Sequence, residues 1–508
     1  MKIERTKNAT RNIIYGVILK IYQLLGPFIL RTIFIYTLGM EYLGLNSLFT
    51  SILSVLNLAE LGVGSALVFS MYKPIAENDT EKICALMNLY KLYYRIIGLV
   101  ILVIGLILVP FIPNLISGSV PKDINIYVLY LMNLCATVLS YWMFAYKTCL
   151  FGAHQRNDVT SKVMMISSTL QYIVQVILLL IVPNYYLYLF ITIATQIFNN
   201  IYAAYKCNRM YPNYKAQGKL PKAEVKVING KVKDLFTAKI GGVVVDSADT
   251  IVISAFLGLT TLAIYNNYFY IMSSVFGFIT IVFNACTAGV GNSLLVETED
   301  KNYNDLKKFL YIICWIASVC TCCLLVLYQP FMKIWVGKES MLSFNLVICI
   351  CVYFFVRNIN TLINMYKDAA GMWHEDKWRP LVVALANLGL NVIMVQYIGL
   401  FGILLSTILT MAFIGMPWLI YNLFTVIFKR NALEFIFKML FYGIIAFVMC
   451  VITYLICSKI ALAGVVGFII KGVVVFAIAN ILFFATTFFL PEFDETKHLI
   501  NRIIKRNF

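Results

Sequence analysis

The chain has 508 residues, of which 61% are hydrophobic and 13% charged, with a formal net charge of +17 and a mean hydropathy of +0.84. This composition excludes a soluble globular domain, whose surface must carry more polar and charged residues. The sequence therefore predicts an all-α polytopic membrane protein, because lipid leaves each spanning backbone to satisfy its own hydrogen bonds.

Apolar segments that are long enough to cross a membrane follow one another along the whole chain. A helix of roughly 20 apolar residues spans the hydrocarbon layer, and by that criterion there are about fourteen spans. They lie near 12–36, 44–70, 92–112, 124–147, 160–183, 185–205, 235–257, 262–292, 308–330, 342–366, 378–398, 400–426, 435–457 and 463–490. The first segment contains Lys20 and Arg31 and lacks a small-residue cleavage site, so we expect a membrane span there and no signal peptide.

The positive charge is concentrated on one side of the predicted membrane. Of the 41 Lys and Arg residues, about 33 fall at the N-terminus, in the even-numbered loops or in the tail, and about 4 on the other side. The positive-inside rule then places both termini in the cytoplasm. The excess charge is expected to contact anionic lipid headgroups, and no nucleic-acid partner is predicted.

A weak internal repeat divides the first twelve spans into two halves. The Lys-rich stretch 206–234 is predicted to be a cytoplasmic linker between an N-lobe at 1–205 and a C-lobe at 235–427. The segment 428–508, with the last two helices and a basic tail, lies outside the repeat. Six spans per half start both halves on the same side, so the repeat is parallel, as in several transporters. An offset of 219 residues pairs Lys20 with Lys239, Leu38-Gly39 with Leu257-Gly258 and Gly152 with Gly371, and a further shift of eight pairs 62–64 with 289–291.

Polar and charged side chains recur at helical spacing inside several spans. Ser, Thr and Asn at such positions usually pack helices together. A charged group at membrane depth costs several kcal/mol unless it faces water or a partner, which favours a cavity over a structural ion pair. The candidate cavity bases are Lys20, Arg31, Lys239 and Arg357, the candidate acids are Glu60, Asp246 and Asp249, and the candidate polar lining is Gln23, Asn266, Asn284, Asn360 and Asn364.

The expected depths of these charged groups agree with one another. At 1.5 Å per residue, Lys20, Glu60 and Arg357 lie on the order of 12 to 15 Å from the inner ends of their spans, with Asp246 slightly deeper. We therefore predict a central charged cavity in which Glu60 balances Lys20 and Arg357. The bases suit an anionic substrate, and the acids are expected to orient it or to carry H⁺ or Na⁺.

Other site chemistries receive no support from the sequence. The 13 cysteines and 3 histidines show no disulfide framework and no metal-ligand spacing. No Gly-rich nucleotide-binding motif is present, and no loop is long enough for a soluble catalytic domain. No cofactor, metal or catalytic residue is therefore predicted.

Three segments resemble bacterial polysaccharide flippases, the Wzx-like exporters of the multidrug/oligosaccharidyl-lipid/polysaccharide superfamily. They are LGMEYLGLNSLFTSILSVLNLAELGVGSALVFSMYKPIAEND (38–79), DSADTIVISAFLGLTTLAIYNNY (246–268) and DAAGMWHEDKWRPLVVALANLGLN (368–391). The resemblance implies two helical lobes in the bacterial plasma membrane that move an undecaprenyl-pyrophosphate-linked oligosaccharide to the outer leaflet for surface or capsular polysaccharide. It also implies that Lys20, Arg31, Lys239 and Arg357 attract the pyrophosphate and sugar acids, and that a polymerase and glycosyltransferases are partners.

Two other functions stay open from the sequence. One is an ion-coupled drug or cation antiporter of the same fold, in which Glu60 or Asp246 would be the coupling acid. The other is a membrane-embedded enzyme of glycan assembly, which would need an essential acid, base or metal site.

Overall fold

A computed structural model of the chain describes residues 5–118, 120–460 and 464–498, with side chains except at 5–10, 13, 234 and 237–239. Within these ranges the chain forms helices and turns and contains no strand. The prediction of an all-α fold is thereby confirmed. It follows from the long apolar segments, in which only a helix keeps every backbone group paired.

Sixteen α-helices account for most of the described part of the chain. The first nine are α1 (Arg5–Thr37), α2 (Met40–Leu56), α3 (Val63–Glu77), α4 (Thr80–Leu108), α5 (Ile126–Trp142), α6 (Cys149–Ala153), α7 (Asn157–Ile181), α8 (Tyr185–Met210) and α9 (Lys222–Leu257). The others are α10 (Leu259–Val296), α11 (Glu299–Trp335), α12 (Phe344–Ala369), α13 (Arg379–Thr410), α14 (Met416–Val426), α15 (Leu433–Ser458) and α16 (Gly464–Thr487).

Among the described residues, 12 helical segments are long and apolar enough to cross a membrane, or 13 if α5 and α6, bent by 51°, form one span. One of these segments, Arg379–Val426, has 48 residues. That is about 72 Å of helix, far more than a bilayer needs. The protein is a multi-pass membrane protein.

The segment Arg379–Val426 is a hairpin of two helices. Asn387 and Thr407 would lie about 30 Å apart on a straight helix, yet the Asn387 amide donates a hydrogen bond to the Thr407 hydroxyl at 3.0 Å. The chain reverses at Ile398 and Gly399, where Gly399 has φ 57° and ψ −138°. Counting the hairpin as two spans and the α5–α6 pair as one gives the fourteen predicted spans.

The chain divides into two compact units, Met1–Ala263 and Ile264–Phe508. In the first unit α1 packs on α7, α7 on α8, α4 on α5, and α9 on α2 and α3. In the second unit α11 packs on α12, α15 and α16. The sequence repeat assigned α9 to the second lobe, and α8 and α9 extend into the predicted linker so that only 211–221 lies between them. The lobe limits deduced from the repeat stay a prediction.

The two glycines that the repeat pairs at helix junctions adopt the same backbone conformation. Gly39, between α1 and α2, has φ 103° and ψ 176°, and Gly258, between α9 and α10, has φ 85° and ψ 172°. L-residues avoid this region because Cβ meets the backbone. The sequence offset of 219 therefore corresponds to a repeated structural feature at this junction.

The second helix of each half differs between the halves. In the first unit the chain breaks after α2 into a 3₁₀ turn, Asn57–Glu60, and Gly62 takes a left-handed conformation before α3. In the second, α10 continues for 38 residues without a break, through Gly289. The sequence match of 62–64 with 289–291 therefore does not extend to the local conformation.

Candidate functional site

Glu60 lies at the break between α2 and α3, where its carboxylate is held by tyrosine hydroxyls. Tyr94 donates to Oε1 at 2.5 Å, and Tyr141 donates to Oε2 at 2.7 Å. Tyr90 shares a hydrogen bond with Tyr94 at 2.7 Å. Both carboxylate oxygens therefore have donors, which satisfies a group that would otherwise be costly at membrane depth.

A cavity of about 390 Å³ opens beside this carboxylate. Its lining includes Glu60, Asn57, Ser65 and Tyr141 from the helix break and from α5, and Val243 from α9. Tyr141 also donates to Asn57 Oδ1 at 3.2 Å. Non-helical backbone at membrane depth is tolerated where protein or a water-filled cavity surrounds it, and such breaks form binding sites in transporters.

The sequence around Gly62 explains why the helix breaks here. Gly62 has φ +90°, and a Cβ at this position would lie 2.8 Å from the carbonyl oxygen of Val232 and 2.7 Å from the Leu235 Cβ. A side chain is thus excluded by both backbone conformation and close packing of α9. The break turns the Glu60 carboxylate toward α4 and α5, which supply the tyrosines.

In the second unit, Arg357 lies on α12 between aromatic rings. Its guanidinium carbon is 4.4 Å from the centroid of the Phe276 ring and 5.7 Å from that of Tyr353. The residue is half-buried. A guanidinium suits this environment because it is planar, stacks on aromatic faces and is weakly hydrated. Its donors can bind the oxygens of a carboxylate or phosphate.

The remaining predicted residues on α1 and α9 differ in exposure. Lys20 and Gln23 are exposed on α1 and Arg31 is half-buried. On α9, Asp246 is exposed and Asp249 is buried; the side chain of Lys239 lies outside the described residues. In the described part of the structure Lys20 and Glu60 form no ion pair, and both carboxylate oxygens of Glu60 accept from tyrosines. The prediction that Glu60 balances Arg357 stays a prediction.

The predicted amides belong to different environments. Asn266 is half-buried and Asn284 is exposed on α10. On α12, the Asn364 side chain donates to the Asn360 carbonyl at 2.8 Å and accepts from Arg379 at 3.1 Å. Asn364 thereby joins an ion-pair network, and its role in a polar lining stays a prediction.

This network was not predicted from the sequence. The Arg379 guanidinium binds both oxygens of Asp376, at 2.6 and 2.7 Å, and both side chains are buried. Lys367 lies 3.7 Å from the same carboxylate. The first unit has a similar feature, in which Arg156 binds both oxygens of buried Asp158 at 2.8 and 3.1 Å.

The tyrosines around Glu60 were also missed in part. Tyr141 lies on the polar stripe of the fourth predicted span. Tyr94 lies in the third predicted span and Tyr90 just before it. Their spacing of four residues was the available signal, since i and i+4 share one helix face. Buried tyrosines need a hydroxyl partner, and the carboxylate of Glu60, in the preceding span, is one such acceptor.

We expect Glu60→Gln to lower the thermal stability of the purified protein. The neutral amide offers one acceptor oxygen, so one tyrosine hydroxyl loses its acceptor and the other keeps only an uncharged one. A hydrogen bond to a charged group contributes about 1.5 to 3 kcal/mol. Thermal unfolding of Glu60→Gln, Tyr94→Phe and the double variant measures this, and the two effects should not add. Glu77→Gln, which alters an exposed pair with Lys73, is the matched control. Additive effects would show that the Tyr94–Glu60 hydrogen bond is not formed.

The fold defined by these helices matches solved structures of membrane transporters. One, "Lipid II flippase MurJ, inward closed conformation", is 16% identical, covers 93% of this chain and 99% of its own, and has a TM-score of 0.66. An inward-facing multidrug resistance MATE family transporter is 14% identical, covers 80% and 96%, and has a TM-score of 0.63. A MOP superfamily transporter from Pyrococcus furiosus is 14% identical, covers 84% and 97%, and has a TM-score of 0.55. The chain thus has the fold of these membrane transporters.

The family follows from the sequence itself. The model of the family described as polysaccharide biosynthesis protein matches residues 9–287, more than half of the chain. The protein belongs to this family, which confirms the resemblance seen in the three segments. The match includes the Glu60 cluster and Phe276, and it ends before α12. No curated protein sequence matches the chain significantly.

Proposed function

We propose that the protein is a flippase that moves an undecaprenyl-pyrophosphate-linked oligosaccharide repeat unit across the bacterial plasma membrane by alternating access. Membership of the polysaccharide biosynthesis family supports a glycan substrate. The membrane-spanning fold supports transport without covalent chemistry. The product would serve surface or capsular polysaccharide biosynthesis.

The observation that carries this proposal is Arg357. A permanently charged guanidinium on a membrane-spanning helix, beside the Phe276 ring, is a candidate for substrate binding, because charged side chains at membrane depth commonly lie on substrate or ion pathways. Guanidinium groups bind phosphate oxygens in a fixed, paired geometry. Arg357 would therefore attract the pyrophosphate or an acidic sugar, with Lys20, Arg31 and Lys239 contributing in the same sense.

Glu60 and Asp246 are the acids proposed to couple transport to an ion. Acidic side chains on membrane-spanning helices commonly belong to proton or ion pathways. Movement of one charge through 100 mV supplies about 2.3 kcal/mol, so the membrane potential or an H⁺ or Na⁺ gradient would be sufficient to bias the cycle. No other cofactor is proposed.

The proposal also includes the orientation of the protein in the membrane and the enzymes that act before and after it. Both termini would lie in the cytoplasm, as the charge distribution indicates. Glycosyltransferases would supply the lipid-linked oligosaccharide on that side, and a polymerase would consume it on the other. These enzymes are the proposed partners, together with the surrounding membrane lipids.

Reconstitution into vesicles tests the proposal directly. A fluorescent undecaprenyl-pyrophosphate-linked oligosaccharide is added to the outer leaflet, and protection of the label from an impermeant quencher is followed with time. We expect the protein to increase protection at least tenfold over empty vesicles, with a dependence on an imposed membrane potential or ion gradient.

Two outcomes would contradict the proposal. Export of a cationic dye such as ethidium in exchange for H⁺ or Na⁺, without lipid movement, would indicate the antiporter. Formation of new glycosidic bonds by the purified protein would indicate the glycan-assembly enzyme. Unchanged label protection under all gradients, with folded protein in the vesicles, would also reject the flippase.

A further inference from the structure

A basic cavity lies at one end of the antiparallel pair α7 and α8. It has a volume of about 460 Å³, and its lining includes Lys162, Lys206 and Arg209 beside apolar Val159 and Ile166. No acidic side chain belongs to the described lining. Three cations around one cavity next to apolar side chains form an amphipathic site, which is distinct from the Glu60 and Arg357 clusters.

The acid near this cavity does not neutralise its three basic side chains. Asp158 lies 3.6 Å from the Lys162 ammonium, but Arg156 already binds both of its oxygens, at 2.8 and 3.1 Å. The Lys162 and Lys206 ammonium groups lie 4.1 and 5.4 Å from the centroids of the Tyr15 and Tyr202 rings. Ring contacts position the ammonium groups without neutralising them, so they retain the capacity to bind an anion.

An exposed apolar stripe leads away from the cavity along α7. Ile166, Leu170, Ile173 and Ile177 are 49%, 44%, 54% and 52% exposed, and steps of four, three and four residues place them on one helix face. The stripe is about 16 Å long at 1.5 Å per residue, which is close to the thickness of one hydrocarbon leaflet. On α8, Tyr202 lines the cavity, and the Phe198 ring stacks on it with centroids 5.7 Å apart.

We propose that this site binds an anionic glycerophospholipid. Its phosphate would contact Lys162, Lys206 and Arg209, and an acyl chain would lie along the stripe from Ile166 to Ile177. The cations suit the phosphate of a lipid, and the apolar stripe, about as long as one leaflet is thick, suits its acyl chain. Free phosphate has no chain to occupy the stripe. By the positive-inside rule the lipid would belong to the cytoplasmic leaflet. The inference does not depend on the proposed flippase function.

The test uses the full-length protein and phosphatidylglycerol. Lys206 and Arg209 are replaced together by Gln, because neither forms an ion pair in the described structure, and Asp158 keeps both of its partners. Lys219→Gln with Lys222→Gln, which removes two exposed charges between α8 and the body of α9, is the matched control. Native mass spectrometry of delipidated protein titrated with phosphatidylglycerol or zwitterionic phosphatidylcholine measures bound lipid.

We expect the wild type and the control variant to bind phosphatidylglycerol in preference to phosphatidylcholine. The Lys206→Gln, Arg209→Gln variant should lose about 30-fold in that preference, the equivalent of about 1 kcal/mol for each cation. Inorganic phosphate at millimolar concentration should not displace the lipid. Equal preference in the test and control variants, or displacement by inorganic phosphate, would overturn the proposal. Stronger competition by undecaprenyl pyrophosphate than by phosphatidylglycerol would also overturn it.

Discussion

Arg357→Gln should abolish surface polysaccharide in cells that depend on this protein, while its level in the membrane stays close to that of the wild type. Loss of a charged hydrogen-bonding group costs about 1.5 to 3 kcal/mol in substrate binding, or roughly a 10- to 100-fold reduction in transport. The glutamine keeps a polar side chain against Phe276 and adds no charge to the membrane interior. The fold should therefore tolerate the change.

Polysaccharide is measured by gel electrophoresis of surface material, and membrane protein by immunoblotting and size-exclusion chromatography. Arg357→Lys separates charge from geometry: it keeps the positive charge and loses the planar group that stacks on the rings, so we expect intermediate activity. Lys219→Gln, on the exposed stretch before α9, is the control for charge removal. The same loss is expected for Lys20→Gln, and normal polysaccharide in both Arg357→Gln and Lys20→Gln would reject their assignment to a charged cavity.

The sequence predicted the fold because hydropathy and helical geometry are strong, local constraints. Apolar segments of about 20 residues can cross lipid only as helices. The charge distribution along the loops predicts their side of the membrane without knowledge of tertiary contacts. The division of Arg379–Val426 into two spans was predicted from its length. The paired glycines, Gly39 and Gly258, were found because a left-handed position strongly favours one residue type.

The environment of each site residue could not be predicted in the same way. Counting residues from the inner ends of the spans placed Glu60 and Lys20 at the same depth. Depth does not show which neighbouring helix a side chain faces. In the structure the tyrosines of α4 and α5 bind Glu60. The helical spacing of Asn364 likewise did not reveal its hydrogen bond with Arg379. Such contacts depend on which helices are neighbours, and that information is nonlocal.

The helix break at 57–62 illustrates the limit most clearly. Two glycines follow Glu60 in the sequence. Such glycines can indicate either the close approach of two helices or a break in one helix. The corresponding glycines of α10 lie within a continuous helix. What differs is the environment, since a Cβ at Gly62 would meet Val232 and Leu235, whereas a Cβ at Gly289 would meet no heavy atom within 4 Å.

Gly44→Ala should prevent the first unit from folding stably. A Cβ at this position would lie 2.1 Å from the carbonyl oxygen of Leu259 and 2.8 Å from its carbonyl carbon. These are backbone atoms at the junction of α9 and α10, so no side-chain rotation can relieve the overlap. Overpacking of a buried contact costs about 1 to 3 kcal/mol when neighbours can shift, and more when they cannot.

The measurement is the yield of monodisperse protein in detergent and its thermal unfolding temperature. Gly16→Ala is the matched control, because a Cβ there meets no heavy atom within 4 Å and alanine favours a helix over glycine by about 0.5 to 1 kcal/mol. The control should be as stable as the wild type or slightly more so, whereas Gly44→Ala should unfold at a lower temperature and give less protein. If both variants behave alike, α2 does not approach Leu259 this closely, and the packing of α9 in the first unit would have to be revised.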